Sequence, residues 1–449
     1  MEAIKNLIHK ALTHAGFMKY FKNTLWLFGG QVLKLVLGLV VTVAIARYFG
    51  PKDFGLYCWV LSIIALIDVV AQLGLKQLAK RELVEQPEKR DVILGTCFVL
   101  SFLAGVIAYA AILLTVWFIS DRSLLLSLFA LFGGILFLSP LNFIEIWFQS
   151  QVRSDLSVCA SSIALLLFAA VKIIAIYYDA NLLHFGYILL FEATVLTGLL
   201  VFFYRRHFGR LHTWRAEHKL AYRFLKQSWP LLLSSLAVAT YVKIDQVMLG
   251  SMLGDEEVGQ YSVAAQISSV FYFIPVMLAT SLFPAIMNAR KQSVALYEDR
   301  IQRYFDLNAG IAYMICVPLT LLSPWLIYVL FGPDYEAAAP ILAVHVWSSL
   351  FVFLGVARAQ YLLAEKMFKF AMFCTLAGAI VNVAMNYALI PIYGGMAAAV
   401  TTLVSYLIAG FLSSAFLPRS HSLFKRQLLS LVVPLKILNF KNKFGRIQF

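Results

Sequence analysis

The stretch GPKDFGLY at residues 50–57 returns in altered form as GDEEVGQY at residues 254–261, and each copy follows a long apolar run. Three positions are identical, Gly50/Gly254, Gly55/Gly259 and Tyr57/Tyr261. A weak internal repeat set between hydrophobic segments is the trace a duplicated membrane fold leaves, so the chain reads as two like halves. Gly50 and Gly55 bracket a short turn in which glycine permits positive φ, and Pro51 suits its restricted φ.

Composition agrees with that reading. Of 449 residues 61% are hydrophobic and 13% charged, and the mean hydropathy is +0.81, whereas soluble domains carry about 25% charged residues. This is a multispanning membrane protein. Spans of about 20 residues fit roughly a dozen helices into this length and leave no room for a large soluble domain. The cysteines Cys58, Cys97, Cys159, Cys316 and Cys374 stand alone in or beside apolar runs, without CxxC spacing, and read as small packing residues. The basic stretch Lys5 to Lys22 leads straight into a full-length span, so the first helix is expected to be retained.

Apolar segments fall near 24–47, 55–76, 92–119, 123–147, 156–178, 183–204, 228–252, 259–287, 306–331, 338–363, 370–390 and 395–417, which predicts twelve spans. Thirty of the 37 Lys and Arg lie in the amino terminus, every second connection and the carboxyl tail. The opposite side holds only Arg47, Lys52 and Arg122. Positive residues near span ends stay on the cytoplasmic side, so both termini are expected there. The fold class is accordingly an all-α integral membrane protein of about 12 transmembrane helices. It divides into an amino-terminal six-helix lobe (1–204), a basic connection (205–227), a carboxyl-terminal six-helix lobe (228–417) and a basic tail (418–449). An even number of spans per half makes the lobes parallel repeats. The connection carries seven Lys/Arg and three His and reads as a topogenic, lipid-facing joint rather than a nucleic-acid site. The tail mixes Leu, Ile, Val and Phe with Lys and Arg, which suits the inner membrane surface. Pro434 should interrupt any helix there.

Three longer passages carry a family resemblance. ARYFGPKDFGLYCWVLSI at 46–63, VKIDQVMLGSMLG at 242–254 and VNVAMNYALIPIYGGMAAAVTTLVSY at 381–406 resemble the Wzx-type polysaccharide flippases, within the superfamily of multidrug, oligosaccharidyl-lipid and polysaccharide exporters. LFGPDYEAAAPIL at 330–342 adds a shorter match, while Lys243 stands where members often carry arginine. The resemblance implies two lobes around a central cavity that opens to one face at a time. It also implies undecaprenyl-diphosphate-linked oligosaccharide as cargo and the bacterial inner membrane as location. Expected partners are that lipid-linked oligosaccharide, membrane lipids and other polysaccharide-assembly membrane proteins.

A charged side chain at mid-bilayer costs about 2.5–3.5 kcal/mol on insertion scales, so each intramembrane charge needs a partner, a wet cavity or a use. Lys34 lies roughly 15 Å into the first span at 1.5 Å per residue, and Gln31, Lys34, Gly38 and Thr42 form one stripe of that helix. Lys34, Lys172, Lys243 and Arg358 are candidate contacts for an anionic diphosphate; Arg358, nearer the inner interface, could snorkel. Internal pairing, for example Lys34 with Asp68, is the competing reading. Asn382 and Asn386, one turn apart, face one way and could either bind cargo or join helices. Gly394, Gly395 and Ala397 to Ala399 read as close helix packing. Asp68, Glu192 and Asp245 are the carboxylates available for ion coupling.

Two other classes stay open. A cation-coupled drug exporter would use the same lobes with a carboxylate-dominated cavity. A membrane glycan polymerase or ligase commonly needs a large outer loop, and here the outer connections are short. There is no Gly-Lys-Ser/Thr phosphate loop, His-Glu-x-x-His helix or Asp-rich cluster, and His207, His212 and His218 are poorly spaced for a metal. No catalytic residue, metal or cofactor is expected.

Overall fold

The computed structural model describes residues 15–119, 123–417 and 420–434. Lys5, Lys10, Arg122, Arg419 and the tail beyond Pro434 lie outside these. Among the described residues the chain is helical and forms no strand, as lipid demands, since a helix satisfies its backbone polar groups within one segment.

Among the described residues ten helical runs are long and apolar enough to cross a membrane. Two of them, Leu25–Ala71 and Lys369–Ala415, are 47 residues long, about twice what a bilayer needs. Each is broken once by a glycine, Gly50 at φ 69° and ψ 175° and Gly394 at φ 56° and ψ −138°. The ten runs therefore supply the twelve crossings read from the sequence. Ile107, Phe118 and Leu321 are at least 70% exposed, which is the outer surface of helices solvated by lipid. Pro140 sits in a 3₁₀ turn, Ser139–Asn142, that interrupts the fourth span, and the Asn181 side chain caps the helix Leu182–His207 by accepting from the His184 N–H.

The chain forms two compact units. The first comprises residues to Tyr48 and Val60–Leu236. Its core gathers Leu75, Leu83, Phe143, Phe148, Tyr204 and Phe224. The short amphipathic helix Leu75–Glu85 lays Leu75, Leu78 and Leu83 into it. Arg90 lies over the rings of Trp147 and Tyr204 and donates to the Phe208 carbonyl at 2.8 Å. Beyond it, the Arg215 N–H reaches the Asp91 carbonyl at 3.1 Å, the Glu217 N–H reaches Thr96 Oγ1 at 3.1 Å, and Trp214 Nε1 donates to the Tyr204 hydroxyl at 3.0 Å. The basic connection after the sixth span is thus strapped to this unit along 208–217 rather than left as a loose joint.

The second unit comprises Phe49–Trp59 and Ala237 onward. Phe305, Phe353, Leu354 and Phe411 centre its core. The helix His421–Leu431 packs there through Leu423 and through Gln427, whose Nε2 donates to the Gly410 carbonyl at 2.7 Å. Its opposite side leaves Leu428 and Leu429 exposed. It ends before Pro434.

Within the second unit the two copies of the repeat meet. Gly50 and Gly254 share a backbone form, φ 69° and ψ 175° against φ 103° and ψ −178°, which only glycine adopts without strain. A Cβ on Gly55 would fall 1.7 Å from the Asp255 carbonyl oxygen, and one on Gly259 would fall 2.0 Å from the Pro51 carbonyl oxygen. Pro51 and Asp255 are equivalent positions, so the contact is reciprocal: each copy's glycine receives the other copy's backbone. Here the obstacle is backbone, which cannot rotate aside. Gly55→Ala should therefore cost at least the roughly 1–3 kcal/mol typical of overpacking. A clear fall in the melting temperature of the detergent-solubilised protein is the expected reading, and an unchanged melt would refute the contact.

Candidate functional site

A buried polar cluster lies inside the second unit. Asp245, on the helix His218–Met252, is 1% exposed. Its Oδ1 accepts from Asn386 Nδ2 at 2.6 Å, and its Oδ2 accepts from the Tyr261 hydroxyl at 2.5 Å and from Thr402 Oγ1. Thr401 Oγ1 donates to Asn386 Oδ1, and the Asn386 amide also reaches Asn382 Oδ1 at 3.4 Å. Helical spacing explains the arrangement: Asn382 and Asn386 are four apart and share a face, and Thr401 and Thr402 follow the break at Gly394. The start of that last helix is held by Glu257, whose Oε2 accepts from the Gly395 N–H at 2.8 Å. Among the described residues no Lys, Arg or His forms an ion pair with Asp245. The donors that meet it, Asn386, Tyr261 and Thr402, are neutral, and the setting is one of carboxylate, amide and hydroxyl oxygens. Hard oxygens of this kind suit a proton or a small alkali cation.

Beside the cluster is a cavity of about 90 Å³, lined among others by Tyr241, Lys243, Gln246, Tyr261, His345 and Tyr406. Tyr241 stacks on Tyr406 with centroids 5.0 Å apart, and His345 Nδ1 lies 2.6 Å from Ser268 Oγ. Lys243 donates to Gln246 Oε1 at 3.3 Å.

The other intramembrane charges are arranged differently. Lys172 pairs with Glu192, Nζ to Oε2 at 2.6 Å, a partnership across two helices that the sequence reading did not make. Asp68 accepts from Gln72, and among the described residues no ion pair joins it to Lys34. Lys34 is exposed, and Gln31 beside it is half-buried. Arg358 does not snorkel: it is 5% exposed, donating from Nε to Ser414 Oγ at 3.0 Å and from Nη1 to the Ala409 carbonyl at 2.8 Å, with its guanidinium over Phe370. It holds the end of the twelfth span to the helix Ser348–Ala364.

The structure thus brings Asp245, Asn382 and Asn386 together, while Arg358 is engaged with Ser414 and the Ala409 carbonyl. Sequence reasoning missed Tyr261, Thr401, Thr402 and His345 as members of the cluster and its cavity. Tyr261 stood out only as a repeat identity. Threonines in an apolar helix carry no signal, because they can satisfy their hydroxyls on their own backbone, as Thr401 does on the Ala398 carbonyl at 3.0 Å.

Comparison with known proteins places the chain. A family model described as "Polysaccharide biosynthesis protein" matches residues 20–290, and one described as "MatE" matches residues 230–388. A protein of Haloferax volcanii named "Probable flippase AglR" is 23% identical over 413 residues, covering 88% of this chain and 82% of that one. A Shigella flexneri protein named "Putative O-antigen transporter" is 21% identical over 343 residues, 71% of this chain and 78% of that one. Among solved structures, the lipid II flippase MurJ in an inward closed conformation matches with a TM-score of 0.66 at 16% identity over 93% of both chains. An inward-facing multidrug resistance MATE family transporter matches at 0.63 and 11% identity, over 91% of this chain and 96% of that one. These two show the fold, and the first family match, which covers more than half of the sequence, shows the kinship: the chain belongs to the polysaccharide biosynthesis protein family, in keeping with its resemblance to Wzx-type flippases.

Proposed function

We propose that this transporter is a flippase that moves undecaprenyl-diphosphate-linked oligosaccharide across the bacterial inner membrane by alternating access. On this reading both termini are cytoplasmic and the transport is driven by an ion gradient acting at Asp245. The observation that carries it is Lys34, an exposed intramembrane cation with no hydrogen bond or ion pair among the described residues. A cost of about 2.5–3.5 kcal/mol is kept there without an internal counter-charge, and a diphosphate crossing an apolar slab supplies one. The names of the relatives, a flippase and an O-antigen transporter, support the cargo class. Other polysaccharide-assembly membrane proteins would then be its neighbours in the membrane.

Purified protein in proteoliposomes should move a fluorescent lipid-linked sugar faster than protein-free vesicles do. Equal rates would reject the proposal. The second reading, a cation-coupled drug exporter, is favoured by the buried carboxylate Asp245 and predicts efflux of organic cations, whereas the flippase reading predicts none.

A further inference from the structure

In the first unit a groove of about 560 Å³ opens between the first span and the helix Ser154–Tyr177, with Trp26, Gly29, Gly30 and Leu33 on one wall and Val158 and Ser162 on the other. The two helices are tied at one end, where the Ser154 N–H donates to Asn23 Oδ1 at 2.8 Å. They touch at Gly30, where a Cβ would come within 2.5 Å of Val158 Cγ1. At Gly29, by contrast, a Cβ would meet nothing within 4 Å. The missing side chain at Gly29 is what leaves the groove open.

The walls are apolar apart from the Ser162 hydroxyl and the Trp26 indole N–H, and a cation, Lys34, directly follows Leu33 on the first span. Lys34 follows Gly30 by four residues, one helical turn on along the same side of the helix, exposed and without a partner among the described residues. A trough of hydrocarbon beside a single unpaired ammonium matches an amphiphile with an anionic head and an apolar chain. Depth separates two such amphiphiles. Lys34 lies about 15 Å into its span, far below the level at which a resting phospholipid keeps its phosphate, whereas the diphosphate of a translocated lipid must pass that level.

We propose that the groove is a binding subsite for the isoprene units next to the diphosphate of a polyprenyl-linked glycan, with the Lys34 ammonium facing the diphosphate. This deepens the flippase reading and rests on it: the protein would select cargo by its lipid tail as well as by its charge.

The test compares two probes with the same sugar diphosphate, one on a long polyprenyl chain and one on a two-isoprene chain, by affinity for purified wild-type protein and for Gly29→Trp and Gly29→Ala. Both replacements favour helix over glycine, and a Cβ at Gly29 meets nothing within 4 Å. Wild type should prefer the long chain by tenfold or more; Gly29→Trp, which fills the groove, should bring the ratio close to one; Gly29→Ala, adding one methyl, should keep most of it. A wild type that binds both probes equally, or a Gly29→Trp protein that keeps the full preference, would overturn the subsite while leaving the flippase reading intact. Failure of wild type to bind either probe would reject the flippase reading itself. Release of co-purified phospholipid from Gly29→Trp without change in the probe ratio would assign the groove to bulk lipid and likewise overturn the proposal.

Discussion

Asp245→Asn is expected to abolish gradient-driven transport while the protein still inserts and folds. The amide is nearly the same shape as the carboxylate but carries no charge and replaces one acceptor oxygen by a donor. Asn386, Tyr261 and Thr402 all donate to Asp245, so at least one of them must lose its acceptor or turn away. A buried polar group left unpaired costs about 1–3 kcal/mol, enough to lower the melting temperature and not enough to unfold a protein of this size. The functional loss should be larger than the loss of stability. A coupling site must gain and lose a cation, and an amide cannot take up the charge that the carboxylate holds. Uptake of lipid-linked sugar into proteoliposomes would be followed under an imposed sodium gradient and, separately, an imposed proton gradient. Whichever gradient drives the wild type should have no effect on the variant. Undiminished gradient response would make Asp245 a structural acceptor that merely joins four helices.

Lys34→Glu should reduce transport of the anionic cargo at least thirty-fold with normal insertion. Two unit charges 4 Å apart exchange about 4 kcal/mol at an effective dielectric of 20, and reversal turns attraction into repulsion of like size. A quarter of that swing, about 2 kcal/mol, already corresponds to roughly thirty-fold. Folding should be spared because Lys34 is exposed and has no hydrogen bond or ion pair among the described residues to lose. Lys34→Gln, which removes the charge without reversing it, should fall between the two. Wild-type rates from the Glu variant would remove Lys34 from the cargo path and weaken both the flippase reading and the groove beside it.

Pairing is where the sequence was least informative. Each intramembrane charge was conspicuous on its own, because a rare polar residue stands out in an apolar run. Which of them meet was not legible. Asp245 and its partners come from segments separated by up to 157 residues, and helix periodicity fixes the face of a residue on its own helix, not the helix opposite. The Lys34–Asp68 pair that stood as the competing reading is absent among the described residues, and Lys172–Glu192 is present instead. Arg358 illustrates the same limit. Its place near the end of a span allowed a long side chain to reach water, but the carbonyl of Ala409 and the hydroxyl of Ser414 meet it first.

What the sequence determined by itself was the number of crossings, the helical class and the family. These follow from local properties: an apolar run long enough to span lipid must be a helix, and a glycine between two such runs marks the turn. The repeat also announced a duplication. Only the tertiary structure decided what its repeated glycines are for, since Gly55 and Gly259 each receive the other copy's backbone rather than serving their own turns. It likewise decided that Asp245 meets Asn386, Tyr261 and Thr402, and that Lys34 has no hydrogen bond or ion pair among the described residues. Those are properties of packing between distant helices, set by shape and close approach, and a one-dimensional pattern of polarity does not carry them.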